Sequence, residues 1–89
     1  MKAIFTSAAN RDVRRILEYY RREAGSDVAY DFHSELGFAL ERIKQWPQAF
    51  PLIHTELRRL ILRRFPFQVV YRIASEDRVR ILAVRHHKQ

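Results

Sequence analysis

From residue 13 to residue 43 the apolar side chains recur every three or four positions, and from residue 57 onward they recur at every second position. The first period is that of helices burying one face, the second that of half-buried strands. Val13, Ile16, Leu17, Tyr20 and Ala24 make one helical stripe, with Arg14, Arg15, Glu18, Arg21 and Arg22 turned outward. Thr6 or Ser7 is placed to cap this helix, and Gly25 to end it. Ala29, Phe32, Leu36, Leu40 and Ile43 make a second stripe. Ser26 is its expected cap and Pro47 its limit, because the residue before a proline, Trp46, is pushed out of the α region. Punctuation as short as Gly25-Ser26 predicts an antiparallel helical hairpin.

Residues 2–6 set Ala3 and Phe5 against Ile4 and read as a first strand. Residues 47–54 form a loop held by two prolines. Past it, Leu57, Arg59, Ile61 and Arg63 alternate with Arg58, Leu60, Leu62 and Arg64 in a strand that ends at a Phe65-Pro66 turn. Phe67, Val69, Tyr71 and Ile73 mark the next strand and Ser75-Glu76-Asp77 a polar hairpin loop. Val79, Ile81 and Ala83 then alternate with Arg80, Leu82 and Val84 in the last strand. The order is β-α-α-β-β-β. An apolar strand meander needs a cover and the hairpin is the one available, so the expected fold is α+β: an N-terminal helical hairpin packed on a small antiparallel sheet. No repeat or linker interrupts residues 1–89, which read as a single domain.

Charge changes this picture. The net charge is +7, and all of it lies after residue 56, where nine cations meet only Glu76 and Asp77; before that point cations and anions cancel. A basic strand half joined to a neutral helical half predicts a surface that meets a polyanion or an acidic protein. The chain has no cysteine, which excludes a disulfide framework, a thiolate nucleophile and cysteine-ligated zinc. Apolar runs stop well short of the roughly 18 residues of a membrane span, and no signal-peptide pattern opens the chain, so no membrane partner and a cytoplasmic location are expected. No glycine-rich phosphate loop or nucleotide fingerprint is present, so no cofactor is expected. His86 and His87, adjacent on a strand, point to opposite faces and cannot share an ion, so no metal is expected either. His33 and His54 read as a helix-surface and a loop residue. Among the aromatics Tyr20, Phe32 and Trp46 read mostly as core, with Tyr19 and Tyr30 off the stripes and open to a partner.

The run LRRLILRRFPFQVVYRI, followed by VRILAVRHHKQ and preceded by the helical hairpin and the WPQAFP loop, resembles the RelE/ParE superfamily of toxins from bacterial type II toxin–antitoxin modules. The resemblance covers essentially the whole chain and implies the fold already reached from periodicity. It also implies a cognate antitoxin with an acidic or amphipathic segment, and operator DNA bound only through that antitoxin. RelE-like members are ribosome-dependent mRNA endoribonucleases, and ParE-like members inhibit DNA gyrase. A metal-free RNA-cleaving site needs a proton-transfer pair and several converging cations. By position, Arg59 keeps one such cation, whereas Ile61 and Gln68 stand where two others belong, and His87 and Lys88 fall near the terminal catalytic positions. The ParE-like branch is therefore the closer one.

On that resemblance Arg59, Arg63, Arg64, Arg80 and Arg85 are the candidates for binding target or antitoxin. Arg59, Arg85 and His87 are catalytic candidates only for a RelE-like chain. Arg59 and Arg63 are expected on one strand face, within reach of one carboxylate or phosphate, or else as a solvated, mutually repelling edge. Arg58 and Arg64 are expected on the other face, with Asp12 as a structural partner. A non-catalytic basic nucleic-acid-binding module is the remaining reading.

Overall fold

The computed structural model describes residues 1–88. Gln89, the end of the C-terminal motif, lies outside the described residues. The elements are β1 (Lys2–Phe5), α1 (Ser7–Ala24), α2 (Ser26–Gln45), β2 (Arg58–Ile61), β3 (Phe67–Ser75) and β4 (Arg78–His86). They form a helical hairpin over a four-stranded sheet of order β1-β4-β3-β2. The meander is antiparallel as its short connections demand, but β1 joins the far side of β4 in parallel, making the sheet mixed. Periodicity carries no information about a strand's neighbour, so the pairing of β1 was not readable in advance.

Thr6 is the cap of α1, its Oγ1 accepting the Ala9 N–H at 3.1 Å. Gly25 ends the helix, at φ 96° and ψ 168°, a region essentially reserved for glycine. Ser26 does not cap α2 as expected. With a single residue between the helices, Gly25 is both the end of one and the cap of the next, and Ser26 is already helical. Trp46 leaves the α region ahead of Pro47 as expected, but it is exposed and not part of the core. Ala24, the last member of the first stripe, is also exposed, at the tip of the hairpin.

The core lies between hairpin and sheet. Phe32, Ala39 and Ile43 from α2 meet Val69 and Tyr71 from β3 and Val79 and Ile81 from β4, all fully buried. Phe32, Phe65 and Phe67 surround Tyr20 at centroid distances of 5.4 to 6.3 Å. Such edge-on pairs add about 0.5–1.5 kcal/mol each beyond the area they bury. Strand β2 is shorter than the alternation suggests, stopping at Ile61. Beyond it the N–H groups of Arg63 and Arg64 are taken by the Glu35 carboxylate of α2, and Leu62 N–H closes the turn on Phe67 O at 2.9 Å. Leu62 is still buried, but Arg63 and Arg64 are both exposed, so the alternation stops once the backbone has left the ladder.

A bulge shifts the β3–β4 register between Val70 and Tyr71, leaving Leu82 as the extra residue on β4. Here β1 has already ended and the edge of β4 is bare. The Thr6 N–H bonds Ile81 O at 3.0 Å, and Asp12 Oδ2 accepts the Val84 N–H at 3.0 Å. Those two residues stand in for the missing strand.

Candidate functional site

The arginines of the basic half fall on two separate surfaces. Because Phe67, Val69 and Tyr71 face the helices, the intervening Gln68, Val70 and Arg72 face away from them. The register places Gln68 beside Arg85, Val70 beside Ala83, and Arg72 beside Arg80. On β2, Arg59 lies next to Val70 and Ile61 next to Gln68; on β1, Ile4 lies next to Arg80. The helix-free face thus carries Arg59, Arg72, Arg80 and Arg85 around an apolar strip. Val70 and Gln68 are only 3% and 4% exposed there, which fits long arginine stems lying across them with their charged ends in water.

Arg59 donates to Gln68 Oε1 at 3.3 Å. Arg72 and Arg80 stand directly opposite each other, an arrangement that destabilises a sheet when the charges are alike. None of these four guanidiniums has a carboxylate within ion-pair distance among the described residues. An anion laid across the face would relieve the repulsion. Of the candidate set, Arg59, Arg80 and Arg85 share this face.

Arg63 and Arg64 do not. They occupy the β2–β3 turn on the helix side, so the expected pairing of Arg59 with Arg63 on one strand face is wrong. Arg64 Nε lies 3.3 Å from Glu35 Oε1, and its guanidinium sits 5.7 Å from the Phe65 ring centre. Arg63 uses its backbone N–H on Glu35 and has no carboxylate partner for its side chain among the described residues. Arg42 of α2 completes this group, and the turn and α2 together enclose an open cavity of about 430 Å³ lined by Glu35, Phe38, Arg42, Arg63 and Arg64.

Asp12 is not the partner of Arg58 or Arg64. It is spent on the Val84 N–H and on Arg15 at 2.9 Å, and the acid that holds Arg64 is Glu35. Arg58 instead donates to Phe50 O at 2.8 Å and Gln48 O at 3.1 Å, pinning the proline loop against the sheet. The Tyr71 hydroxyl joins the same loop, donating to Pro47 O at 2.6 Å. Burial pushes its pKa up to about 12, against the opposing pull of the nearby Arg58 cation. Tyr20 is raised as well, by burial and then by Tyr19.

At the C-terminal end His86 packs on Phe67, ring centres 4.6 Å apart, on the helix side of the sheet. His87 follows the strand, its N–H on Pro66 O at 3.2 Å, and it is half-buried. Arg85 and Arg59 both border Gln68, and His87 lies two residues beyond Arg85. No carboxylate sits on the strand positions of the helix-free face. Glu35 and Arg42 were missed by the sequence reading, and their signal was position: Glu35 interrupts the apolar stripe between Phe32 and Ala39. His33 and His54 are exposed on α2 and in the loop, and Tyr19 and Tyr30 are exposed. No helix among the described residues is long and apolar enough to cross a membrane.

Comparison with known proteins places this geometry among similar chains. A family described as ParE toxin of type II toxin-antitoxin system, parDE, matches residues 3–89. The fold is similar to that of a chromosomal ParDE toxin–antitoxin system from P. aeruginosa, with a TM-score of 0.74 and 23% identity over 97% of this chain and 95% of that one. It is also similar to a chain of the intact E. coli RelBE toxin–antitoxin complex, with a TM-score of 0.65 and 20% identity over 98% of this chain and 96% of that one. No curated protein matches the chain in sequence.

Proposed function

Because the chain belongs to the ParE toxin family of type II toxin–antitoxin systems, we propose that it poisons DNA gyrase and is silenced by a cognate antitoxin. The helix-free face of the sheet is the effector surface in this reading. Its support is the single observation that Arg59, Arg72, Arg80 and Arg85 crowd one face with no carboxylate within ion-pair distance among the described residues. Such a face is held ready for an acidic surface or a phosphate backbone, and its long-range field speeds the encounter. Among the described residues the strand positions of that face hold no carboxylate to move a proton, and Ile61 and Gln68 occupy positions where a nuclease of this superfamily would carry cations.

Purified gyrase should lose supercoiling activity as the protein is added, and Arg80→Glu should weaken that inhibition. Undiminished supercoiling at a large stoichiometric excess of the wild-type chain would remove the gyrase reading. The second reading, ribosome-dependent mRNA cleavage, is favoured by one feature, the closeness of Arg59 and Arg85 around Gln68 with His87 just beyond. It requires that a translating extract show cleaved mRNA with the wild-type chain and intact mRNA with His87→Ala.

A further inference from the structure

The two edges of the sheet are treated differently. Along β2 the proline loop covers the outer edge, where Arg59 N–H bonds Pro51 O at 3.1 Å and Leu52 bridges to Arg58. The other edge is β1, the end of the strand order. Lys2 N–H bonds Asp77 O at 2.7 Å and Thr6 N–H bonds Ile81 O at 3.0 Å, so the even-numbered residues of this segment turn their backbone groups toward β4. Ala3 and Phe5 therefore turn theirs away from the sheet, and neither N–H has a partner among the described residues. Beside them Met1 is 41% and Ile4 40% exposed. Proteins blunt an open edge with proline, a bulge, charge or a covering loop, and an edge without them is a template for another strand. Of these devices β1 has only Lys2, at its first position.

We propose that two copies of the chain pair through β1, antiparallel and centred on Ile4, into one continuous eight-stranded sheet. In that register the outward groups are self-complementary. Ala3 of one copy faces Phe5 of the other, each such pair exchanges two hydrogen bonds, and the two Ile4 side chains meet at the closely spaced position between them. Lys2 falls opposite Thr6, so the one charge of the strand does not face itself. A partner chosen by charge would need acid or base along the edge, and Ala3, Ile4 and Phe5 offer none; what they offer is their own complement. Both hairpins then lie on one side and the two helix-free faces join on the other. Arg80, one strand inward of Ile4, stands about 14 Å from its mate across three strand spacings, so the cationic face is doubled without a break. The strip is short and each chain carries +7, which puts the dimer in the weak class that buries less than about 1,200 Å². The inference goes beyond the gyrase reading and does not depend on it.

Sedimentation velocity of the full chain over a wide concentration range should show a monomer–dimer equilibrium. Added salt should strengthen the dimer, because the contact is apolar and made by backbone while the repulsion between the chains is screened. That sign is opposite to the effect of salt on an anion held by the arginines. In hydrogen exchange the amides of Ala3 and Phe5 should slow as concentration rises, and the amide of Ile61 on the β2 edge should not. Ile4→Lys sets two ammonium groups against each other at the centre, on a position already exposed, and should return the chain to monomer with an unchanged circular dichroism spectrum. Ala3→Pro removes one of the outward N–H groups and should do the same. A chain that stays monomeric at every concentration in both low and high salt would overturn the proposal. So would a dimer that survives Ile4→Lys, or one whose protection appears at Ile61 and not at Ala3 and Phe5. Loss of supercoiling inhibition tests the gyrase reading separately, since β1 pairing stands or falls without it.

Discussion

Glu35 is the residue on which the positions of Arg63 and Arg64 depend. Its carboxylate, nearly buried, accepts both of their backbone N–H groups and the Nε of Arg64, so it ends β2 and folds the following turn onto α2. Hydrogen bonds to a charged group are worth about 1.5–3 kcal/mol, and orphaned buried donors cost a further amount of similar size. Glu35→Ala should therefore lower stability by about 2–4 kcal/mol in denaturant titration. Glu35→Gln, which keeps one acceptor oxygen, should lose less. Tyr71 gives a second expectation, in pH. Folding raises its hydroxyl from 10.0 to about 12, so the folded chain holds that proton more tightly than the unfolded chain does. This stabilisation is complete below pH 10 and is lost as the pH climbs toward 12. Tyr71→Phe should flatten that part of the alkaline slope without removing all of it, because Tyr20 is shifted in the same direction. It should also cost about 1 kcal/mol at neutral pH for the lost bond to Pro47 O. An unchanged slope in the variant would mean the alkaline loss comes from elsewhere. Glu35 and Asp12 were legible in part, since each is an acid set into an apolar stripe. Which backbone donors they serve was not, because those donors lie 28 and 72 residues away in the chain.

At the scale of elements, the helices and the meander could be read from the sequence because their signals are local: period, caps and turn residues. Two of the misreadings came from non-local causes. Alternation through Arg63 and Arg64 continues a strand pattern whose hydrogen bonds have already passed to a helix, and β1 is too short to declare which strand it joins or in which direction. The glycines divide along the same line. Gly25 answers to its own backbone angles, with φ at 96°, and nothing lies within 4 Å of an added methyl. Gly25→Ala should therefore cost about 1–3 kcal/mol through backbone strain alone. Gly37 has ordinary helical geometry and the same open space, so Gly37→Ala should stabilise the free protein by up to about 1 kcal/mol. Thermal unfolding of the two variants should thus shift in opposite directions. A loss at Gly37 of the size expected at Gly25 would mean that its backbone is needed by the fold itself.

Across the whole molecule, the sequence showed that the positive charge lies in the strand half but not how it divides between the helix-free sheet face and the α2 groove. That division follows from where β2 stops. The sheet face can be tested by setting stability against activity. Arg72 and Arg80 oppose each other across β3 and β4, and neither has a carboxylate within ion-pair distance among the described residues. Arg80→Glu turns this repulsive pair into an attractive one, which in a sheet is worth about 0.2–1 kcal/mol. If the face exists only to be part of a folded sheet, the variant should be as active as wild type or better, because it is more stable. If the face is held cationic for a target, the variant should be more stable and less inhibitory to gyrase, and the gap should narrow at high salt as the wild-type field is screened. Denaturant midpoints and supercoiling assays on the same two proteins give both quantities. A variant with a raised midpoint and full inhibition would show that target recognition does not use this face, whatever the remaining arginines do.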